Sequence, residues 1–219
     1  MITIYGRTTS SNVHKVLWCC HDLKIEHKQV DIGGPFGGTD TQAFGQMNPN
    51  RTVPVMDHDG FTLWESNAIM RYLASQFGNG ALYPADPQAR ARVDQWLDWS
   101  MGAVQIPIIP VFLTLYRTPE PERDMDAVNR GLAAVSDAWR LLEDHFAGGG
   151  DGSQAGSRAG SRAFICGEAL SLADIALSTW VYRWHEMDID RPDLPHLRAW
   201  RDRLATYDAY QTYINHPIV

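Results

Sequence analysis

The chain opens by alternating short apolar strands with helical stripes, and its later part is helical throughout. Ile2 and Ile4 alternate with Thr3 and Tyr5 in a strand-like run, and Gly6 starts a loop through Arg7, Thr8, Thr9 and Ser10. Val13, Val16, Leu17, Cys20 and Leu23 then recur at helical spacing. Glu26 to Val30 predicts a second strand, ended by the turn-forming run Asp31-Ile32-Gly33-Gly34-Pro35, and Thr39 to Met47 predicts a weaker helix. Val53 to Met56 reads as a third strand, and Asp59-Gly60 as a hairpin turn before Phe61-Thr62-Leu63. From Glu65 onward the face Ile69, Tyr72, Leu73 and Phe77 is helical again.

This β-α-β, α, β-β-α order is the layout of a thioredoxin-like α/β domain, spanning residues 1–80. Pro54 lacks an N–H, so it marks a special turn at the strand entry rather than a central ladder position. Residues 81–87, with Tyr83-Pro84-Ala85-Asp86-Pro87, read as a linker, and residues 88–219 as an all-α helical bundle. Within that bundle, Val93, Trp96, Leu97, Gly102 and Ala103 begin a long helix that is disturbed near Pro107 and Pro110 and stopped by Thr118-Pro119. Leu132, Val135, Trp139 and Leu142 stripe a second helix from Asp124 to Phe146, and residues 148–162 read as a flexible Gly/Ser loop. Ser171-Leu172-Ala173-Asp174 matches a capping box that opens a helix through Ile175, Leu177, Val181 and Trp184. The last helix carries Leu197, Trp200 and Leu204.

Composition narrows the class. A chain of 219 residues, 44% hydrophobic and 21% charged, is long enough to bury a real core and is neither disordered nor fibrous. A net charge of −7, with no dense basic patch, argues against nucleic acid as a partner. The apolar runs read as shorter than the ~18 residues a membrane helix needs, so no membrane span is expected. Cys19, Cys20 and Cys166 form neither an even disulfide framework nor a metal-ligand spacing, so no metal is expected. With a strand rather than a leader at the start, the expected home is a reducing cytoplasm.

Three local features carry chemistry. Thr8-Thr9-Ser10-Ser11-Asn12 sits at a helix N-terminus, where hydroxyls either cap the helix or stabilise an anion or thiolate beside free N–H groups. Asn48-Pro49-Asn50-Arg51-Thr52-Val53-Pro54 places an X-Pro bond at a strand entry. If that bond is cis, the Val53 backbone faces outward to pair with an extended peptide. Glu65-Ser66 at a helix start either caps the helix or holds an amino acid, with the helix end facing its carboxylate and Glu65 its ammonium.

Taken in order, Asn48-Pro49, Val53-Pro54 and Glu65-Ser66-Asn67-Ala68-Ile69 closely resemble the glutathione-site signature of the cytosolic glutathione transferases. Phe164-Ile165-Cys166-Gly167-Glu168 with Ser171-Leu172-Ala173-Asp174 resembles the capping-box motif of that family's helical domain. The resemblance spans nearly the whole chain and is strongest to the serine-type branch of theta, phi and bacterial members.

The resemblance implies a glutathione S-transferase that joins glutathione, as co-substrate, to a small hydrophobic electrophile, with a role in detoxification and a homodimeric assembly. It places the thiol-activating serine on Ser10, followed by Asn12 in a Ser-x-Asn arrangement, with Ser11 and Asn12 near enough to share the role. Val53 would pair with the cysteinyl unit, Pro54 would be the cis-proline, and Glu65 and Ser66 would hold the γ-glutamyl end. Arg51 and Thr52 flank that turn. Arg51 replaces the family's usual glycine and is the candidate cation for the glycyl carboxylate, since Gly38 to Gln42 offers no histidine or lysine. Met101, Gln105, Ile108, Ile109, Phe112 and Tyr116 form the expected electrophile wall, with Arg117 at its end, and Arg71, Arg90 and Asp94 are candidate dimer polars. Other chemistries on this frame are glutathione-dependent isomerase, dehalogenase or peroxidase activity and non-catalytic ligand binding. A cysteine redox enzyme is disfavoured, because Cys19 and Cys20 lie two turns into the first helix.

Overall fold

The computed structural model describes residues 1–148 and 162–218, so most of the Gly/Ser stretch at 148–162 lies outside the described residues. Four strands form one sheet in the order β2-β1-β3-β4: β1 Ile2–Tyr5, β2 His27–Val30, β3 Val55–His58 and β4 Phe61–Trp64. β1 runs parallel to β2, with Ile4 opposite Gln29, and antiparallel to β3, with Ile4 opposite Met56. The parallel pair needs a crossover, and α1, Ser11–Asp22, supplies it. α2 spans Gln42–Met47, capped by the Thr41 hydroxyl accepting from the Phe44 N–H, and α3 spans Ser66–Phe77. The expected β-α-β, α, β-β-α order therefore holds. The third strand starts two residues later than its apolar run, because Val53-Pro54 is spent on a cis turn ahead of it.

The helical part begins at α4, Pro87–Trp99, whose Asp86 cap accepts from the Ala89 N–H. A wide π-helical segment, Ser100–Gln105, leads into α5, Ile106–Arg117. The helix thus runs on through Pro107 and Pro110. It contains an eighteen-residue window of mean hydropathy 1.4, long and apolar enough by composition to cross a membrane, contrary to the sequence expectation. Val93, Leu97, Val104, Ile108 and Val111 of this stretch are buried, and it packs on α6, Met125–Phe146, and α7, Leu172–Glu186, as the central helix of a bundle. α8, Pro195–Leu204, and α9, Asp208–Tyr213, close the chain, α9 being an element that the hydrophobic pattern did not announce.

The capping box at α7 forms around a fully buried carboxylate. Asp174 accepts from the Ser171 N–H and hydroxyl, the Ile165 N–H and the Trp200 Nε1–H, at 2.8–2.9 Å. Burial pushes this carboxyl up and the four donors oppose it.

α1 belongs to both halves of the molecule: it packs on α3 beside the sheet and on α7 and α9 of the bundle. Trp18 meets the rings of Tyr207 and Tyr210 at 6.2 and 5.9 Å. Lys15, fully buried, points its Nζ at Asn67 Oδ1 of α3 (3.3 Å) and Gln105 Oε1 of the π segment (3.5 Å). Burial lowers this ammonium to about 7, with the Glu65 charge partly offsetting it.

Candidate active site

Gly6 ends β1 at a crowded corner, where a Cβ would stand 2.5 Å from Val13 Cγ2 and 3.2 Å from Val53 Cβ. Its absence lets the start of α1 approach the Val53-Pro54 turn. Ser10 takes the N-cap position with extended backbone, and the first helical bond runs from the His14 N–H to the Ser10 carbonyl at 2.9 Å. The N–H groups of Ser11, Asn12 and Val13 are therefore left without helical partners, as at any helix start. The Ser10 hydroxyl does not cap them and makes no hydrogen bond among the described residues, although Ser10 is only 8% exposed.

Facing this loop is the cis Val53-Pro54 bond, and Val53 stands outside the β1–β3 ladder, which begins at Val55. Arg51 precedes it with φ +55°, the left-handed conformation that explains the usual glycine there. Its guanidinium donates to the carbonyls of Thr39 and Thr41 at 3.0 and 2.9 Å, clamping the loop before α2. Glu65, exposed and at φ +70°, begins α3, and Ser66 is buried, its hydroxyl 3.5 Å from Asn12 Oδ1.

These pieces surround a cleft of about 610 Å³ between the sheet domain and the bundle. Of the residues expected from sequence, it brings together Ser10, Ser11, Asn12, Arg51, Thr52, Val53, Ile109, Phe112 and Arg117. Pro54, Glu65 and Ser66 do not line the cleft: Pro54 is buried behind the turn, Glu65 stands exposed at the start of α3, and Ser66 meets the cleft residue Asn12 through its hydroxyl. The structure does not bring Met101, Gln105 or Ile108 to this wall: Gln105 is buried against Lys15, and Ile108 is fully buried in the core. Tyr116 instead stacks on Phe112 at 5.4 Å and accepts from the Asp188 N–H. Leu113, Trp180, Arg183 and Arg7 also line it without having been expected, as do Thr9, Thr39 and the Gly33-Gly34-Pro35 turn. Trp180 and Arg183 lie three apart on α7, a spacing visible in the sequence but hidden by the apolar face beside it.

No cysteine joins the cleft. Burial pushes the Cys20 and Cys166 thiols up to about 12, and Cys19 well above its ordinary value, so none is poised as a thiolate.

Comparison with known proteins agrees with this architecture. Residues 9–76 match the family model for the glutathione S-transferase N-terminal domain, and residues 125–203 match that for the C-terminal domain. The chain is 30% identical to glutathione S-transferase GstB of Escherichia coli (strain K12), over the full length of both. It is 27% identical to glutathione S-transferase D6 of Drosophila melanogaster, covering 90% of this chain and 84% of that one. Among solved structures, the glutathione-bound theta class glutathione S-transferase of Xanthomonas axonopodis pv. citri matches with a TM-score of 0.89 at 37% identity, covering 100% and 99% of the two chains. The chain belongs to the glutathione S-transferase family.

Proposed function

We infer that this glutathione transferase ionises the glutathione thiol at Ser10 and presents the thiolate to an electrophile held against α5 and α7. The observation that carries the reading is the uncommitted Ser10 hydroxyl at the N-terminus of α1, on the same cleft as the Val53 turn. Glutathione would lie along that turn, its cysteinyl backbone pairing with Val53, its γ-glutamyl end at Glu65 and Ser66, and Thr52 and Arg51 beside it. With the Arg51 guanidinium holding two carbonyls, the cleft's other cation on the loop side, Arg7, is the better partner for the glycyl carboxylate.

The energetic requirement is modest. A thiol of pKa ~8.5 is only ~3% ionised at pH 7, and a fall of two units makes about three quarters of it thiolate. That fall corresponds to ~2.7 kcal/mol, and one hydrogen bond to a charged group supplies ~1.5–3 kcal/mol. The Ser10 hydroxyl with the first-turn N–H groups of α1 is therefore sufficient. The thiol proton leaves to solvent, and the sulfur attacks the electrophile with no covalent enzyme intermediate.

We place the enzyme in the cytoplasm, where three free cysteines persist, and assign it a detoxifying role. It works as a homodimer. Arg71, Arg90 and Asp94 are engaged within the chain: Arg71 pairs with Asp94 and Asp98 at 2.6 and 2.7 Å, and Arg90 donates to the Pro84 carbonyl. The exposed aromatics Phe61 and Phe77 are therefore the stronger interface candidates.

The test is the pH dependence of thiolate absorbance in the glutathione complex. Ser10→Ala should raise the bound thiol's pKa by about one to two units, the loss of one charge-assisted hydrogen bond. Binding of glutathione should change much less. An unmoved titration in Ser10→Ala, with a large shift in Ser11→Ala or Asn12→Ala, transfers the role to that neighbour.

A further inference from the structure

The chain carries a net charge of −7, yet four arginines line the cleft and, among the described residues, no aspartate or glutamate does. Arg51 is held by the Thr39 and Thr41 carbonyls. Arg117 and Arg183 stand over one ring, their guanidinium carbons 5.9 and 4.2 Å from the Phe112 centroid, and Arg183 also lies 5.6 Å from the Trp180 ring. Arg7 rests against Gly33 and Gly34, whose missing Cβ atoms would come within 3.0–3.3 Å of its guanidinium. Neither the Arg7 nor the Arg183 guanidinium donates a hydrogen bond to, or forms an ion pair with, any described residue; the hydrogen bonds these two residues make are through their backbones.

Gathering these like charges in a half-enclosed cleft is unfavourable. Burial, then the charges of Arg117 and Arg7, pushes Arg183 down to about 10, and burial with Arg117 also lowers Arg7. A bound anion reverses that penalty. Glutathione's own carboxylates do not account for the arrangement, because in the proposed pose they lie at Glu65-Ser66 and beside Arg7. Arg117 and Arg183 stand instead on α5 and α7, the helical side of the cleft, beside the apolar surface of Ile109 and Leu113, where the buried rings of Phe112 and Trp180 also reach the cleft.

We propose that the preferred electrophile is itself an anion, a small aromatic carboxylate whose ring lies on Ile109 and Leu113 and whose carboxylate is held by Arg183 and Arg117. The proposal rests on the transferase reading and narrows its substrate class from a neutral hydrophobic electrophile to a charged one. With an aryl chloride the chemistry is substitution: the thiolate sulfur forms a C–S bond to the ring carbon, the C–Cl bond breaks, and chloride leaves with its electron pair. The thiol proton has already passed to solvent, so the balance is complete.

The experiment separates binding from turnover. Halogen-free dinitrobenzoate and dinitrobenzene are titrated by calorimetry into the protein with and without saturating glutathione, and chlorodinitrobenzoate and chlorodinitrobenzene are assayed for conjugation. Each conjugation rate is divided by the uncatalysed rate. The benzoate should bind about ten- to a hundred-fold more tightly than its neutral counterpart, the worth of a charge-assisted pair. Arg183→Met should abolish that advantage, Arg117→Gln should shrink it, and Arg183→Lys should keep part of it. Equal affinity for the two ligands overturns the anion site, as does an advantage that survives both Arg183→Met and Arg117→Gln. Displacement of the benzoate by glutathione also overturns it, since the arginines then serve the peptide. Arginine-dependent benzoate binding with neither chloride conjugated would keep the anion site and remove the transferase reading. Conjugation of both with no preference would do the reverse.

Discussion

His14 shows how much one buried ring can set. It is 6% exposed, its Nε2 meets the Thr8 carbonyl at 2.5 Å, and its Nδ1 has no partner among the described residues. The neutral ring with its proton on Nε2 satisfies that carbonyl, whereas protonation would place a second, unpaired donor in the interior. Burial lowers its pKa to about 4; the Thr8 bond partly opposes this, and Arg183, His216 and Arg7 add to it. Between pH 4 and 6.5 the unfolded chain binds a proton here that the folded chain refuses, so stability rises with pH through that window. The expected loss on acidification is about 3 kcal/mol, fully felt below the folded pKa and absent above the unfolded one. Urea midpoints across this range should show the slope, and His14→Gln, which keeps a donor for Thr8, should flatten it. Equal slopes in the two proteins would refute this assignment. Arg51 carries a different local cost. Its left-handed backbone is unfavourable by about 1–2 kcal/mol for a side-chain-bearing residue, and two guanidinium bonds to Thr39 and Thr41 offset it.

At the scale of elements, α5 and α6 meet closely because Gly131 offers no side chain. A Cβ there would stand 2.5 Å from Val111 Cγ2 and 2.9 Å from the Pro107 carbonyl oxygen. In an exposed helix, Gly→Ala stabilises by about 1 kcal/mol. Here the clash is with backbone as well as side chain, so Gly131→Ala should instead destabilise by about 1–3 kcal/mol, read as a lower thermal or urea midpoint. The same helix marks the limit of sequence reading. Punctuated elements such as β1, α1 and the capping box of α7 were legible, because period and cap residues agree there. From Ile106 to Leu115 nearly every residue is apolar, so no periodicity tells which face is core. The wall is accordingly expected along Met101, Gln105, Ile108, Ile109, Phe112 and Tyr116, whereas of these the cleft receives Ile109 and Phe112, with Leu113 added. The motif residues of the first domain were legible through their order. Arg183 and Lys15 were not, because what Lys15 faces depends on how α1 docks against α3 and the π-helical segment, and what Arg183 faces on how α7 meets Phe112 of α5.

For the whole molecule, the proposed dimer has a physical basis in what the edge of the sheet leaves uncovered. Phe61 and Phe77 are 49% and 37% exposed, and His58 and Tyr72 connect them through ring contacts of 5.3–6.0 Å. Light scattering at micromolar concentration should report twice the 24.6 kDa chain mass, and Phe61→Glu should shift it toward one. A wild-type particle of single-chain mass would exclude the assembly. The distribution of charge is also a whole-molecule property: an acidic surface surrounds a cationic cleft, so added salt should weaken capture of charged ligands more than of neutral ones.

Trp180 gives this cleft an optical consequence. Its indole is 1% exposed and its Nε1–H has no partner among the described residues, yet the ring forms part of the cleft wall beside Arg183. A dry indole emits at the blue edge of tryptophan fluorescence, and a nitroaromatic lying a few ångströms away drains that emission by electron and energy transfer. The enzyme is thus equipped with its own built-in lamp at the place proposed for the electrophile. Blue-edge dimming on titration, lost in Trp180→Phe, would let occupancy be followed in real time without any label.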